Sequence, residues 1–235
     1  MTAYSQYISQ IAVPEFGMQG QQLLSQAKVL VIGAGGLGCP VLSYLNAMGT
    51  GTIGIADADV VKQENLHRQV LYSVTQVGEL KVEAAKNVLQ QQNPNTILHL
   101  YPFAINASNA KNIINNYDVV IDCTDNVATR YIIDDATYIL GKPWVYGAVL
   151  KNEGQLSVFN FNGGPCFKNV FSNASVFDEQ DSCAVAGIMP YTTGVIGCLQ
   201  VNEAVKIITK NPHSISGSIL TIHLQTLHLK TWKIK

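Results

Sequence analysis

Apolar positions along this chain fall into two rhythms that alternate through its first two thirds. Apolar runs at 28–32, 52–56, 97–100 and 119–121 predict strands, and the continuous run of the first suggests burial on both faces of a sheet. Between them, apolar residues recur at helical spacing over 36–48, 78–91, 107–114 and 128–140. The second of these helices carries Leu80, Val82, Ala85, Val88 and Leu89 on its apolar positions and stops at Asn93-Pro94. Strand–helix alternation of this kind predicts an α/β fold, a Rossmann-like, doubly wound, mostly parallel sheet. After residue 143 the rhythm changes. Strand patterns at 144–149 and 155–161, then 219–224 and 227–234, predict an antiparallel C-terminal extension. A helix over 192–208 lies between these pairs. Residues 162–187, rich in Gly, Asn, Ser and Asp, read as one long loop, and long loops in compact domains are often functional. Residues 1–27 are polar and Gln-rich, helical in pieces that Pro14 and Gly17-Met18 interrupt. The expected organisation is one domain: an N-terminal helical segment (1–27), a first half (28–143) and an extension (144–235).

Charge removes several classes of partner. The net charge is −1 over 235 residues, and Arg68 and Arg130 are the only arginines. Neither a basic groove for nucleic acid nor a field drawing the chain to an acidic membrane is expected. No apolar run reaches about 18 residues, so no membrane span is expected. Cysteines stand at 39, 123, 166, 183 and 198, an odd count without a Cys-x-x-Cys pair. Reduced thiols and a cytoplasmic location fit that pattern better than a disulfide framework. The helical patterns around Cys39 and Cys198 favour burial, and Cys123 packs beside a strand.

Chemistry is concentrated at the ends of the predicted strands. Val31-Ile32-Gly33-Ala34-Gly35-Gly36-Leu37-Gly38 breaks a buried strand into a glycine loop that opens a helix. Gly33, Gly35, Gly36 and Gly38 permit a tight turn and let backbone N–H groups approach phosphate, while the helix turns its positive end to the same place. Asp57, nineteen residues past Gly38 and at a strand end, suits a carboxylate gripping ribose hydroxyls. The loop alone does not separate ATP from NAD, and a ligand-free strand–helix turn has the same glycines. Arg68 and Lys81 follow, with Asn65 placed to orient a phosphate or ribose. Two cations suit displacement at phosphorus, where charge builds on the transferred group and on pyrophosphate; read alone, they also fit a solvated surface pair. An NAD-dependent oxidoreductase leaves Arg68, Lys81 and Asp125 without a task. Asp122-Cys123-Thr124-Asp125-Asn126 follows the fourth strand, at the edge where ligand crevices open in such sheets. Asp125 suits Mg²⁺ by one carboxylate, or an N-cap for the next helix, or both. Asp122 reads as structural.

This ordered set resembles the ThiF/MoeB/HesA family, bacterial relatives of ubiquitin-activating enzymes. Asp57-Ala58-Asp59, Asn65-Leu66-His67-Arg68-Gln69, Lys81-Val82-Glu83, Ala186-Gly187-Ile188-Met189-Pro190 and Gly194-Val195-Ile196-Gly197-Cys198 extend the likeness over nearly the whole chain. The resemblance implies a homodimeric adenylyltransferase using ATP and Mg²⁺. Its second substrate would be a ubiquitin-like sulfur-carrier protein, ThiS-like or MoaD-like, whose terminal glycine carboxylate attacks the α-phosphate. The glycine loop, Asp57 and Asn126 would bind the nucleotide; Asn65, Arg68 and Lys81 its phosphates; Asp125 the Mg²⁺. The carrier tail would lie over 144–185, with a crossover loop at about 163–185. A sulfur donor such as a cysteine desulfurase would complete a thiocarboxylate. Cys183 sits where some relatives carry a covalent cysteine; it is either that group or a bystander thiol.

Two departures stand out. The family's opening Arg-Tyr-x-Arg-Gln is here Gln6-Tyr7-Ile8-Ser9-Gln10, and no Lys or Arg precedes Lys28. Many relatives hold zinc with two Cys-x-x-Cys pairs, whereas Cys166 here has Asn169 in place of its partner, so no zinc is expected. Thiamine (thiazole) synthesis is the pathway expected first, from Asp57, Arg130 and Cys183, and molybdopterin synthesis second. A nucleotide-binding interaction protein without catalysis is the different-class alternative.

Overall fold

The computed structural model describes residues 4–172 and 187–234. Eight strands form one sheet in the order β3-β2-β1-β4-β5-β6-β7-β8. The first five are β1 (Lys28–Ile32), β2 (Thr52–Ala56), β3 (Ile97–Tyr101), β4 (Val119–Asp122) and β5 (Trp144–Leu150), and they pair in parallel. β6 (Glu153–Phe159), β7 (Ser218–His223) and β8 (His228–Lys233) add antiparallel strands beside β5. The expected fold class therefore holds, and the reversal of strand order between β1 and β4 opens a crevice at their carboxyl ends.

Residues Val29, Leu30 and Val31 of β1 are completely buried, as are Val120 and Ile121 of β4, because helices cover both faces. On one face lie α3 (Gly38–Ala47), α4 (Lys81–Gln92) and α8 (Pro190–Ile208), packed on Val29, Val31, Ile121 and Val145. On the other lie α5 (Ala110–Ile114), α6 (Val127–Leu140) and α7 (Phe167–Val170), over Leu30, Ile32, Val120 and Trp144. The N-terminal pieces, α1 (Ile8–Ile11) and α2 (Gly17–Gln26), are fastened to the end of α3. Gln10 Nε2 and Gln21 Nε2 both donate to the Met48 carbonyl, at 2.8 and 3.1 Å, and Asn93 Nδ2 donates to Tyr7 Oη at 2.8 Å.

Several boundaries differ from the sequence expectation for local reasons. Gly17 does not interrupt a helix but opens α2, with φ +59°. α4 begins at Lys81 rather than 78, because Leu80 is spent on a β-bridge to Val60. α5 begins at Ala110, because the Asn106 side chain accepts from the Ser108 N–H at 2.9 Å and holds an Asx turn ahead of it. β6 is displaced two residues towards the N-terminus by a two-residue turn at Lys151-Asn152, with Lys151 at φ +52°. The loop expected over 162–187 contains α7.

Candidate active site

β1 ends in the glycine loop, and two of its glycines are required by space. Gly33 has φ +97°, and a Cβ there would lie 2.6 Å from the Cys123 carbonyl oxygen. A Cβ on Gly38 would lie 2.1 Å from the Gly33 oxygen, so Gly38 lets α3 close on the loop and does not itself line the crevice. Gly33, Gly35 and Gly36 do line the crevice, together with Asp57, Asn65, Arg68, Lys81, Asp125 and Asn126. All belong to one cavity of about 1060 Å³.

Asp57, at the end of β2, is held by the backbone around it. Its Oδ2 accepts from the Ala34 N–H at 2.7 Å and its Oδ1 from the Asp59 N–H at 2.8 Å. Lys81, the first residue of α4, is buried rather than part of a solvated pair. Its Nζ stands 2.8 Å from Asp59 Oδ2 and 3.7 Å from Asp57 Oδ2. Arg68 is half-buried and donates from Nη2 to Asn65 Oδ1 at 2.7 Å, which turns two expected phosphate ligands into one unit.

The loop after β4 separates two roles that the sequence had left joined. Asn126 is the N-cap of α6, its Oδ1 accepting from the Thr129 N–H at 2.8 Å. Asp125 is exposed and does not serve as that cap. Asp122 is structural, as expected. Its Oδ1 accepts from Thr124 N and Oγ1 at 2.9 and 2.6 Å, and its Oδ2 from Arg130 Nε at 3.2 Å. Burial pushes the Asp122 carboxyl above its usual range, against the pull of Arg130 and Thr124. Burial opposes the Arg130 charge too, but the neighbouring Asp122 carboxylate more than restores it. Gln200 Nε2 of α8 donates to the Asp122 carbonyl at 2.6 Å and locks this strand end from the opposite face.

Past this loop the cavity runs along β5–β7, lined by Tyr146, Ala148, Leu150, Gln155 and His223, with Phe167 and Phe171 as a wall. Three lining residues carry chemistry for which no role was expected. Asp59 is the ion-pair partner of Lys81. Gln69 is 4% exposed and leaves its Oε1 without a hydrogen bond, an orphaned polar atom beside Gly35. Arg130 is the third, and the scarcity of arginine was the signal that could have found it. The cradle residues thus fit a nucleotide: glycines that bring the backbone into the crevice, the Arg68 and Lys81 cations, and an exposed carboxylate.

The cysteines sort by burial. Cys39 and Cys123 lie in the core; burial pushes the Cys39 thiol up to about 12 and the Cys123 thiol well above its ordinary value. Cys198 is exposed, contrary to expectation, because Ile196, Gly197, Gln200 and Val201 take the inward positions of α8. Cys166 Sγ donates to Asn169 Oδ1, and among the described residues no three His, Cys, Asp or Glu side chains are grouped to hold a metal. This neighbourhood does not fit a thiolate zinc centre. Cys183 lies outside the described residues. No described helix is long and apolar enough to cross a membrane.

A family model described as the ThiF family matches residues 7–235. "Adenylyltransferase and sulfurtransferase MOCS3" of Aedes aegypti is 44% identical over 216 residues, which cover 92% of this chain and 49% of that protein. "Adenylyltransferase and sulfurtransferase UBA4" of Meyerozyma guilliermondii is 44% identical over 221 residues, covering 94% and 52%. The chain therefore spans about half the length of these curated relatives. The crystal structure of PaaA superposes with a TM-score of 0.83 at 22% identity, covering 98% of this chain and 73% of that one, a likeness of fold.

Proposed function

The chain belongs to the ThiF family of ubiquitin-activating-like adenylyltransferases, and from that premise we propose that it adenylates the C-terminal carboxylate of a ubiquitin-like sulfur-carrier protein. The observation that carries this reading is the single cavity. At one end it gathers Gly33, Gly35, Gly36, Asp57, Asn65, Arg68, Lys81, Asp125 and Asn126, and at the other it opens onto the antiparallel floor. Residues 28–143 are the nucleotide half and residues 144–235 the carrier half.

In this reading the glycine-loop amides and Asp57 seat ATP, and Asn126 borders the nucleotide while capping α6. Arg68, positioned by Asn65, draws charge towards the β- and γ-phosphates. Lys81 is held in place by Asp59 and Asp57. Asp125 is the ligand for Mg²⁺, which when bound neutralises phosphate charge. A carrier carboxylate is already ionised near neutral pH, so the attack on the α-phosphorus needs no general base. An oxygen–phosphorus bond forms, the bond to the bridging oxygen breaks, and pyrophosphate leaves with the electron pair. The stretch Gln6–Gln10 brings no cation to this chemistry; the cations at hand among the described residues are those lining the cavity. Dimerisation and a cysteine-desulfurase sulfur donor complete the proposal, with Cys183 as the sulfur-handling thiol.

The test is exchange of radiolabelled pyrophosphate into ATP, with a ThiS-like and a MoaD-like carrier in parallel. Carrier-dependent exchange is the expected result, and the faster carrier assigns the pathway, thiazole or molybdopterin. ATP binding without exchange on either carrier overturns the adenylation reading in favour of a nucleotide-binding interaction protein. Cys183→Ser should leave exchange intact and block thiocarboxylate formation; an unchanged thiocarboxylate yield would make it a bystander.

A further inference from the structure

Both arginines of the chain line the cavity. Arg68 lies against the glycine loop, its Cγ 3.6 Å from where a Cβ on Gly36 would stand. Arg130, from the first turns of α6, stands where the nucleotide end meets the antiparallel floor. Its Nη2 donates to the Thr124 carbonyl at 2.8 Å, on the loop carrying Asp125, and to the Gly147 carbonyl of β5 at 3.3 Å. Its Nε donates to Asp122, and its guanidinium lies 5.0 Å from the centre of the Tyr146 ring. Those bonds use Nε and Nη2. Nη1 has no protein partner among the described residues, and it is not among the side-chain nitrogens sealed from solvent. The guanidinium is therefore fixed on one edge and open to the cavity on the other.

A carboxylate entering beside a triphosphate meets strong like-charge repulsion, so an acceptor site for it needs a cation. The cationic and titratable basic groups lining the cavity are Arg68, Lys81, Arg130, His223 and His228. Lys81 is held by Asp59 and Asp57, and Arg68 by Asn65. His223 and His228 form a cross-strand pair at the far end of the floor. Among the described lining residues Arg130, though paired with Asp122, combines a permanent charge, a plane fixed by several hydrogen bonds and a free N–H edge beside β5. A guanidinium N–H also makes a charge-assisted hydrogen bond to a carboxylate oxygen.

We propose that Arg130 is a further catalytic residue, which receives the terminal carboxylate of the peptide substrate through Nη1 and aligns it with the α-phosphorus of the nucleotide. This rests on the adenylation reading above. Arg130 holds one carboxylate oxygen while the other forms the bond to phosphorus. The α-phosphorus bond to the bridging oxygen breaks, its electron pair departs with pyrophosphate, and no proton moves. Orientation of this kind is where a fixed guanidinium contributes to rate.

The experiment compares two forms of the better carrier, one with its native terminal carboxylate and one amidated there. Binding of each is measured to the full-length protein saturated with a non-hydrolysable ATP analogue. Arg130→Lys keeps the charge and the Asp122 pair but loses the fork. Arg130→Gln is made together with Asp122→Asn so that no buried carboxylate is left unpaired. Wild type should bind the carboxylate form at least tenfold tighter than the amide. Arg130→Lys should shrink that preference, and the double variant should abolish it. Both should keep the Kd for ATP within about twofold while the carrier KM rises and kcat falls a hundredfold or more. Retention of the tenfold preference by Arg130→Lys and the double variant overturns the proposal. So does a parallel loss of ATP affinity, which would mark a collapsed loop; should the double variant not fold, Arg130→Lys decides alone. Wild type that binds ATP without carrier-dependent exchange fails the adenylation reading itself; wild type that exchanges beside variants that still discriminate fails only this inference.

Discussion

The two halves of the sheet obey different rules. In β1, β2 and β4 almost every residue is buried, since crossover helices cover both faces. In β8 every residue is exposed, and the strand pairs on one edge only. Within the parallel half β1, β2 and β4 are enclosed, while the edge strand β3 has no buried residue. That enclosure leaves polar chemistry one outlet, the carboxyl ends of the strands, and the glycine loop, Asp57 and the Asp122–Asn126 loop all gather there. The antiparallel half keeps one face against α8 and lends the other to the cavity. A site made of backbone amides needs the first kind of support; a surface along which a chain is laid needs the second kind of opening.

Breaking the parallel half should cost activity most. Arg68→Ala and Lys81→Ala should each reduce pyrophosphate exchange by on the order of 10³-fold, as expected when a cation facing transferred phosphate is removed. Thermal melting should tell them apart: Arg68→Ala should melt like the wild type, while Lys81→Ala, which strips Asp57 of its buried counter-charge, should melt lower. Exchange at the wild-type rate in either variant would defeat the phosphate assignment.

Two tryptophans sharpen the contrast within the extension. Trp144 is fully buried among Tyr146, Phe159 and Phe167, so Trp144→Ala should cost about 3–5 kcal/mol in denaturant unfolding. Trp232, half exposed on β8 under the Lys230 ammonium, should cost no more than about 1 kcal/mol when changed to Ala. Comparable losses would mean that β8 is better supported than its exposure indicates.

Backbone geometry gives the next effect. Gly33→Ala meets both a left-handed φ and the Cys123 carbonyl, and should cost about 1–3 kcal/mol or more, whereas Gly163→Ala, at φ +74° with open space around it, meets the strain alone. Melting temperatures of the two variants rank them. Smallest in stability is Asp125→Ala: an exposed carboxylate should change unfolding by no more than about 0.5 kcal/mol. Its effect should appear in the Mg²⁺ titration of nucleotide binding, and an unchanged Mg²⁺ dependence would leave Asp125 without its proposed role.

The parallel half was the more legible in sequence. β1 and β2 run over the residues their apolar runs mark, because a strand buried on both faces needs apolar side chains without interruption. The antiparallel strands were placed less well, since a left-handed Lys151 set the β6 register and no hydrophobic pattern announces that. At the site, residue types and order pointed to the nucleotide chemistry. Division of labour among neighbours did not show: Asn126 rather than Asp125 caps α6, and Gly38 lets α3 close on the loop.

By itself the sequence determined the alternation of buried strands and amphipathic helices, the glycine loop, and the set of charged residues at strand ends. These are local properties, written in periodicity and residue type. Only the tertiary structure decided which charges meet. Buried Lys81 meets Asp59, twenty-two residues earlier, because the chain between them folds back. Arg130 stands between the two halves because α6 packs over β4 and β5 while Asp122 and the Thr124 and Gly147 carbonyls take one side of its guanidinium. Such pairings depend on distances between segments far apart in the chain, which strand order and helix packing set and no local pattern records.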